Sequence, residues 1–230
     1  MGQIKAVLGF NETIKSRKTR SVDEEKDLQL CPEVSPYLLG PLYVRQNDIP
    51  DLTPDSSPFL NHFGATLKMG GASKPTECLA RTKLAVLVPY RDRSEHLKIF
   101  LHHMHPIFQR QLLDYRIFVI EQTGKTSFNR GALMNIGYTE ALKIDNYDCF
   151  VLHDVDLVPE DDRNLYECPS SGPKHMAVAV NKWKYRLQYA NYIGGVTTMS
   201  KEKYKQINGF ANSFYGWGGE DDDLNHRVSK

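Results

Sequence analysis

No stretch of this 230-residue chain is apolar over the length a membrane helix needs, and neither charge sign is in excess. The 29 basic residues nearly balance the 28 acidic ones, which argues against a nucleic-acid-binding surface and leaves no polybasic patch for a membrane. The apolar run Ile4 to Phe10 is too short for a signal-peptide core and carries Lys5. Met1-Gly2 opens like a myristoylation site, but Ala6 stands where Ser or Thr is required. No targeting signal is legible, so the expectation is a soluble cytoplasmic chain or one whose address lies on a segment outside it.

Other absences remove whole classes of chemistry. Cys31, Cys78, Cys149 and Cys168 form no C-x-x-C pair, which argues against a structural zinc site of the usual spacing. They allow three disulfide pairings or four thiols; the even count and the sequon Asn11-Glu12-Thr13 are compatible with a lumenal setting. The eight histidines form no H-E-x-x-H pattern, and neither G-x-S-x-G nor C-G-x-C-W occurs, so no nucleophile triad is legible. No P-loop, no G-x-G-x-x-G after the first strand and no internal repeat are present.

What remains is organised text. Residues 1–30 are charged and weakly periodic, basic over Lys15 to Arg20 and mostly acidic over Asp23 to Asp27, and read as a disordered stem or linker. Cys31 to Cys78 is rich in proline (Pro32, Pro36, Pro41, Pro50, Pro54, Pro58, Pro75) and reads as an irregular wrap over a domain surface. From Leu84 the rhythm changes. Leu84 to Val88 is a buried strand ended by Pro89, and a helix from Ser94 follows with Leu97, Phe100, Leu101, Met104, Ile107 and Phe108 at spacings of three and four. Tyr115 to Ile120 is a second strand, Asn129 to Leu142 a second helix, and Cys149 to Leu152 a third strand. Such alternation predicts an α/β fold with right-handed crossovers and a mostly parallel, Rossmann-type sheet flanked by helices.

Ligand sites in such sheets lie beyond the carboxyl ends of the strands, which selects Pro89–Arg93 and Asp154–Asp156. Asp154-Val155-Asp156 places two hard carboxylates at i and i+2, on one side if the backbone stays extended, and suits Mg²⁺ or Mn²⁺ shared with phosphates. Arg91, Arg93 and Arg130, with Phe128, can fork onto phosphate oxygens and cover a base; for any single Arg a surface pair with Asp92 or Glu95 is the plainer reading. His153 reads as a structural group beside the acids. Gly216-Trp217-Gly218-Gly219-Glu220-Asp221-Asp222-Asp223 sets an aromatic face beside four carboxylates, as a sugar site does. Alone, that run reads as the acidic first turn of a helix; beside a D-x-D and an arginine cluster it points to glycosyl transfer from a nucleoside diphosphate sugar.

FNRGALMNIGY, FVLHDVDLVPEDDRNLY, YIGGVTTMS and INGFANSFYGWGGEDDD closely resemble the animal β-1,4-galactosyltransferases, and the match runs from Cys31 to about Arg227. The resemblance implies a GT-A-like catalytic domain over residues 31–230 and a Golgi type II membrane protein whose anchor belongs to a longer native chain. It implies Mn²⁺ and inverting transfer of galactose from UDP-galactose to the 4-hydroxyl of a terminal N-acetylglucosamine or glucose on a glycoprotein or glycolipid. By position, Pro89, Arg91, Arg93, Phe128, Arg130, Asp154, Val155, Lys182, Tyr192, Gly195, Trp217 and Glu220 would line the donor, and Asp156 would ligate the metal. Asp221 would be the general base, with Glu220 and Trp217 beside it in the catalytic set, while Tyr189, Gly218, Gly219, Asp221 and Asp222 would face the acceptor. The resemblance also implies the disulfides Cys31–Cys78 and Cys149–Cys168. Tyr192 stands where the family separates donors, the bulky phenol excluding a 2-acetamido group. Family members continue past the acidic motif into a closing loop and a His- or Met-containing stretch that completes the metal site, so the expectation is a C-terminally truncated domain whose metal affinity and activity suffer.

Two other readings stay open: a relative using UDP-N-acetylgalactosamine, and a non-catalytic fragment binding UDP-sugar or glycan. A calcium loop is disfavoured, since EDDD lacks the spaced D-x-D-x-D-G pattern.

Overall fold

The computed structural model describes residues 4–6, 28–49, 66–68 and 70–230, with only the backbone of 4–6. The Met1-Gly2 start, the Asn11 sequon, the charged stretch to Asp27 and Pro50, Pro54 and Pro58 lie outside the described residues. In chain order the strands are β1 (Ile4–Ala6), β2 (Ala72–Ser73), β3 (Lys83–Tyr90), β4 (Asp114–Gln122), β5 (Cys149–His153), β6 (Lys174–His175) and β7 (Val196–Ser200). The helices are α1 (Ser94–Arg110), α2 (Arg130–Ile144), α3 (Lys201–Gln206) and α4 (Glu220–Val228).

The continuous apolar text of β3 is explained by burial on both faces. Leu84, Val86 and Val88 pack with Phe100, Met104, Ile107 and Phe108 of α1. Ala85 and Leu87 point the other way, to Phe118, Ile120 and the α2 residues Leu133, Met134 and Ala141. Strand β3 pairs in parallel with β4 on one side and β5 on the other. The chain therefore steps outward through α1 and back through α2, and the two helices take opposite faces, as right-handed crossovers in opposite directions require. That reversal leaves a crevice at the carboxyl ends of β3 and β5.

Among the described residues only these three central strands are parallel; β7 runs antiparallel to β5, β6 to β7, and β1 and β2 to β4. The sheet is thus mixed. An antiparallel neighbour needs no helical crossover, and the connection from β5 to β7 carries only β6 and a single 3₁₀ turn, Asn181–Trp183. Pro89 does not end β3, which runs on to Tyr90 beside β4. Pairing with β5 has already stopped at Leu87, so the proline occupies a position where its missing N–H interrupts no ladder on that side.

Apart from the two-residue β2, described parts of the N-terminal wrap form isolated bridges rather than strands, among them Leu30 to Leu79 and Pro41 to Asp161. Disulfide Cys31–Cys78 closes the wrap on itself, with Cα atoms 4.9 Å apart, and Cys149–Cys168 ties β5 to the segment that follows it, at 5.6 Å. These are the pairings the resemblance implies. Among the described residues no helix is long and apolar enough to cross a membrane.

Candidate active site

Strand β5 delivers the first acid by way of a buried, uncharged post. His153 donates from Nδ1 to the Asp154 carbonyl (2.8 Å) and meets the Tyr166 hydroxyl at Nε2 (2.9 Å). Burial holds its pKa down to about 4, so it supports the turn without contributing charge. Beyond it the backbone leaves the extended form and turns over Asp154–Asp156, so the two carboxylates part company. Asp154 meets Arg130, while Asp156 is exposed and has no hydrogen-bond or ion-pair partner among the described residues.

Arg130, the first residue of α2, is the hub of the cleft. Its Nε donates to Asp154 Oδ1 at 2.6 Å and its Nη1 to Asp221 Oδ1 at 2.8 Å, with Glu220 Oε1 at 3.7 Å. One fork therefore joins Asp154 of the D-x-D turn to Glu220 and Asp221 of the acidic run. Burial pushes the Asp154 carboxyl up to about 6 in spite of Arg130. Burial, then the neighbouring Asp221, raise Glu220 as well. For Arg130 burial opposes the charge, but the surrounding carboxylates outweigh it and hold the guanidinium above its ordinary value.

Local sequence explains why Arg130 is there. The Asn129 side chain caps α2 by accepting from the Ala132 N–H (2.8 Å) and donates to the Asn212 carbonyl (2.8 Å). Gln122, at the end of β4, accepts from the Asn129 N–H and donates to Thr126 Oγ1 and the Ser127 carbonyl, so one amide folds the whole loop. Asn135 fastens the following segment to α2, donating to the Phe210 carbonyl and accepting from the Phe210 N–H and the Tyr204 hydroxyl.

Glu220 to Asp223 are the first turn of α4. The run is the acidic first turn of a helix, as its charge pattern alone reads, and two of its carboxylates also reach Arg130 in the cleft. The turn before it needs glycine, since Gly218 and Gly219 have φ of 94° and 91°, and a Cβ on Gly219 would lie 2.9 Å from the Phe214 ring. The opposite wall is the Tyr192-Ile193-Gly194-Gly195 turn. A Cβ on Gly194 would sit 2.2 Å from Asp221 Oδ2, so only glycine lets that carboxylate lie against the backbone. The Gly195 carbonyl accepts from the Asp154 N–H (2.9 Å), which locks this turn to the D-x-D. Tyr189 donates to Asp222 Oδ1 (2.6 Å), and that bond pushes its phenol up to about 12. Tyr192 packs edge-on against Tyr189, Trp183 and His175, with ring centroids 5.4–5.5 Å apart.

Arg130, Asp154, Tyr192, Gly195, Glu220 and Asp221 are thus gathered around one cleft, with Tyr189 and Asp222 at its rim. Phe128 joins through its carbonyl, which accepts from the Gly216 N–H (2.8 Å), and through its ring, which lies 5.1 Å from the Arg91 guanidinium. Arg91 makes neither surface pair open to it and donates instead to the Thr126 carbonyl. Arg93 precedes α1 without a side-chain cap bond, Lys182 lies over Trp183, and Trp217 is 90% exposed with no aromatic neighbour among the described residues. Val155 is buried and lines, with Asp156 and His175, a cavity of about 570 Å³ that opens beside the D-x-D turn. Sequence reasoning opened the second helix on Asn129 without giving it a role and passed over Gln122, Gly194 and His175; of these three, only Gly194 had a signal, the doubled glycine after Tyr192.

For a divalent ion the donor set is lean. Among the described residues no three His, Cys, Asp or Glu side chains gather to hold one. Asp156 is nevertheless an unengaged hard carboxylate at the mouth of the crevice, and one carboxylate with substrate phosphates and water is a usual arrangement for such ions.

Residues 31–169 match the N-terminal region of glycosyl transferase group 7, and residues 174–230 the N-terminal domain of galactosyltransferase. The chain is 48% identical to mouse β-1,4-galactosyltransferase 1 over 201 residues, covering 87% of this chain and 49% of that protein. It is 46% identical to human β-1,4-galactosyltransferase 4 over 222 residues, or 96% of this chain and 62% of that one. It therefore spans about half to three-fifths of the curated relatives it matches. Among solved structures, the catalytic domain of Drosophila β-1,4-galactosyltransferase 7 in complex with xylobiose superposes with a TM-score of 0.59 at 41% identity, over 64% of this chain and 61% of that one. A mutant of the same Drosophila enzyme was crystallised with manganese, UDP-Gal and xylobiose, and matches at 40% identity. With these motifs folded into one cleft and matches spread over nearly its whole length, the chain belongs to the β-1,4-galactosyltransferase family.

Proposed function

We propose that this cleft transfers galactose from UDP-galactose to the 4-hydroxyl of a terminal N-acetylglucosamine or glucose on a glycoconjugate, with inversion. The observation that carries the reading is the Arg130 fork, which sets Asp154 of the D-x-D and Asp221 of the acidic run on opposite sides of one guanidinium. Asp221 takes the proton from the acceptor hydroxyl, whose oxygen bonds to C1 of galactose as the bond from C1 to the diphosphate oxygen breaks. Attack from the face opposite the leaving group inverts that carbon. Asp222 and Tyr189 hydrogen-bond the acceptor, and Tyr192 closes the donor pocket at C2. Asp156 would hold manganese, which stabilises the negative charge on the departing UDP. In support, the Drosophila relative was crystallised with manganese, UDP-Gal and a disaccharide. The two disulfides fit an oxidising compartment, and the proposed setting is the Golgi lumen.

A second reading, binding of UDP-sugar or glycan without turnover, is favoured by the lone free carboxylate at Asp156. Titration with UDP-galactose and N-acetylglucosamine, with and without Mn²⁺, separates the two. Metal-dependent formation of a β-1,4-linked product supports transfer, whereas saturable binding with no product supports the second reading.

A further inference from the structure

The backbone joint between the two acids is clamped by a side chain that lies outside the transfer machinery. The Val196 N–H donates to the Gly194 carbonyl (3.0 Å) across Gly195, whose φ is 78°; this is a γ-turn of the rare positive-φ kind. Three parts of the cleft meet on it. Asp154 hangs from the Gly195 carbonyl, Asp221 lies against the Gly194 Cα, and the Tyr192 ring approaches within 2.7 Å of where a Gly194 Cβ would be. From β6, His175 Nε2 reaches the same Gly194 carbonyl at 2.9 Å, and its ring stands edge-on to Tyr192 at 5.4 Å and 80°. A carbonyl oxygen can only accept, so Nε2 carries the hydrogen.

We infer that His175 is a positioning residue: its Nε2–H pins the Gly194–Val196 turn that aligns Asp154 with Asp221, and its ring holds Tyr192 in the orientation that selects the donor. The inference rests on the proposed transfer reaction for its kinetic consequences. A turn with positive φ relaxes when its second donor is withdrawn. Displacement of Asp221 then acts on the chemical step rather than on donor affinity.

Two substitutions divide the roles. His175→Gln keeps an N–H donor but removes the ring, and His175→Phe keeps a ring but removes the donor. Steady-state kinetics with UDP-galactose and with UDP-N-acetylgalactosamine, alongside thermal unfolding, should show His175→Phe losing about tenfold in kcat with donor KM within about twofold. His175→Gln should hold kcat within about threefold while the relative use of UDP-N-acetylgalactosamine rises. Equal losses in both variants that track a lower Tm would reduce His175 to a structural role and overturn the inference. The ¹⁵N shifts of His175 in the unsubstituted protein supply a readout independent of folding and of turnover. A neutral Nε2–H tautomer supports the clamp, and an Nδ1–H tautomer refutes it. If the unsubstituted chain forms no product, the proposed function fails by itself and the tautomer still decides the clamp.

Discussion

Arg130 carries three carboxylates on one guanidinium with little water to share the load. Arg130→Ala would leave Asp154, already pushed up by burial, facing Asp221 and Glu220 with no cation between them. Removing one member of a buried set of this kind costs about 3 kcal/mol, which for a domain of this size lowers Tm by about 6–12 °C. Arg130→Lys keeps the charge but cannot reach both acids from separate nitrogens, so it should retain stability better than it retains kcat. Differential scanning fluorimetry set beside initial rates tests that split. Tyr192→Leu should raise the ratio of UDP-N-acetylgalactosamine to UDP-galactose use about tenfold or more, because it empties the space in front of Gly194 and Gly195. An unchanged ratio in a two-donor assay would end the steric account. At this scale the sequence was informative about which residue types matter and mute about which of them touch. The carboxylates of the D-x-D and of the acidic run were legible, since four adjacent acids need a cation or water. The guanidinium between them was read as a phosphate ligand or an ordinary surface pair, because nothing in spacing shows that residues 130, 154 and 221 converge.

Secondary elements were easier to foresee wherever burial wrote a period into the chain. Both faces of β3 and the stripe of α1 are such cases, and Asn129, the first residue of the expected second helix, is the cap of α2. The outer strands were missed. β6 has two residues and β2 two, too few to carry a pattern, and their pairing is set by the neighbours they lie on. The glycine turns between elements are where small changes should do most damage. Gly194→Ala drives a methyl into the Asp221 carboxylate, and Gly195→Ala adds a side chain at φ 78° within 2.8 Å of Leu157. Each should lower kcat about a hundredfold or more while leaving most of the far-UV circular dichroism intact, since the first displaces the proposed base and the second strains the turn that holds Asp154. Near-normal rates would show that the Asp221 carboxylate can move aside freely in Gly194→Ala, and that the turn tolerates the strain in Gly195→Ala.

The molecule as a whole should be acid-sensitive for a reason unrelated to the cleft's carboxylates. His105 is fully buried, its Nδ1 2.7 Å from the Tyr115 hydroxyl, and burial lowers its pKa to about 3; His153 is lowered to about 4. Above the ordinary histidine value of about 6.5 neither group distinguishes folded from unfolded chain. Below it the unfolded chain binds protons that the folded chain refuses, so stability falls with pH by about 1.4 kcal/mol per unit for each group. The loss continues to about pH 4 for His153 and about 3 for His105. Asp154, pushed up to about 6, offsets part of this loss below that pH, so urea midpoints should drop between pH 7 and 4.5 and the drop should be shallower in His105→Asn.

Asp162, completely buried, gathers the Leu39 and Gly40 N–H groups of the wrap and the Arg110 guanidinium at the end of α1. Its own carbonyl accepts from Gln111. The residue lies eight positions after Asp154, at the far end of the same connecting segment. The amino-terminal ribbon thus braces from behind the segment that leads away from the D-x-D turn, and nicking it between residues 39 and 41 should loosen that turn.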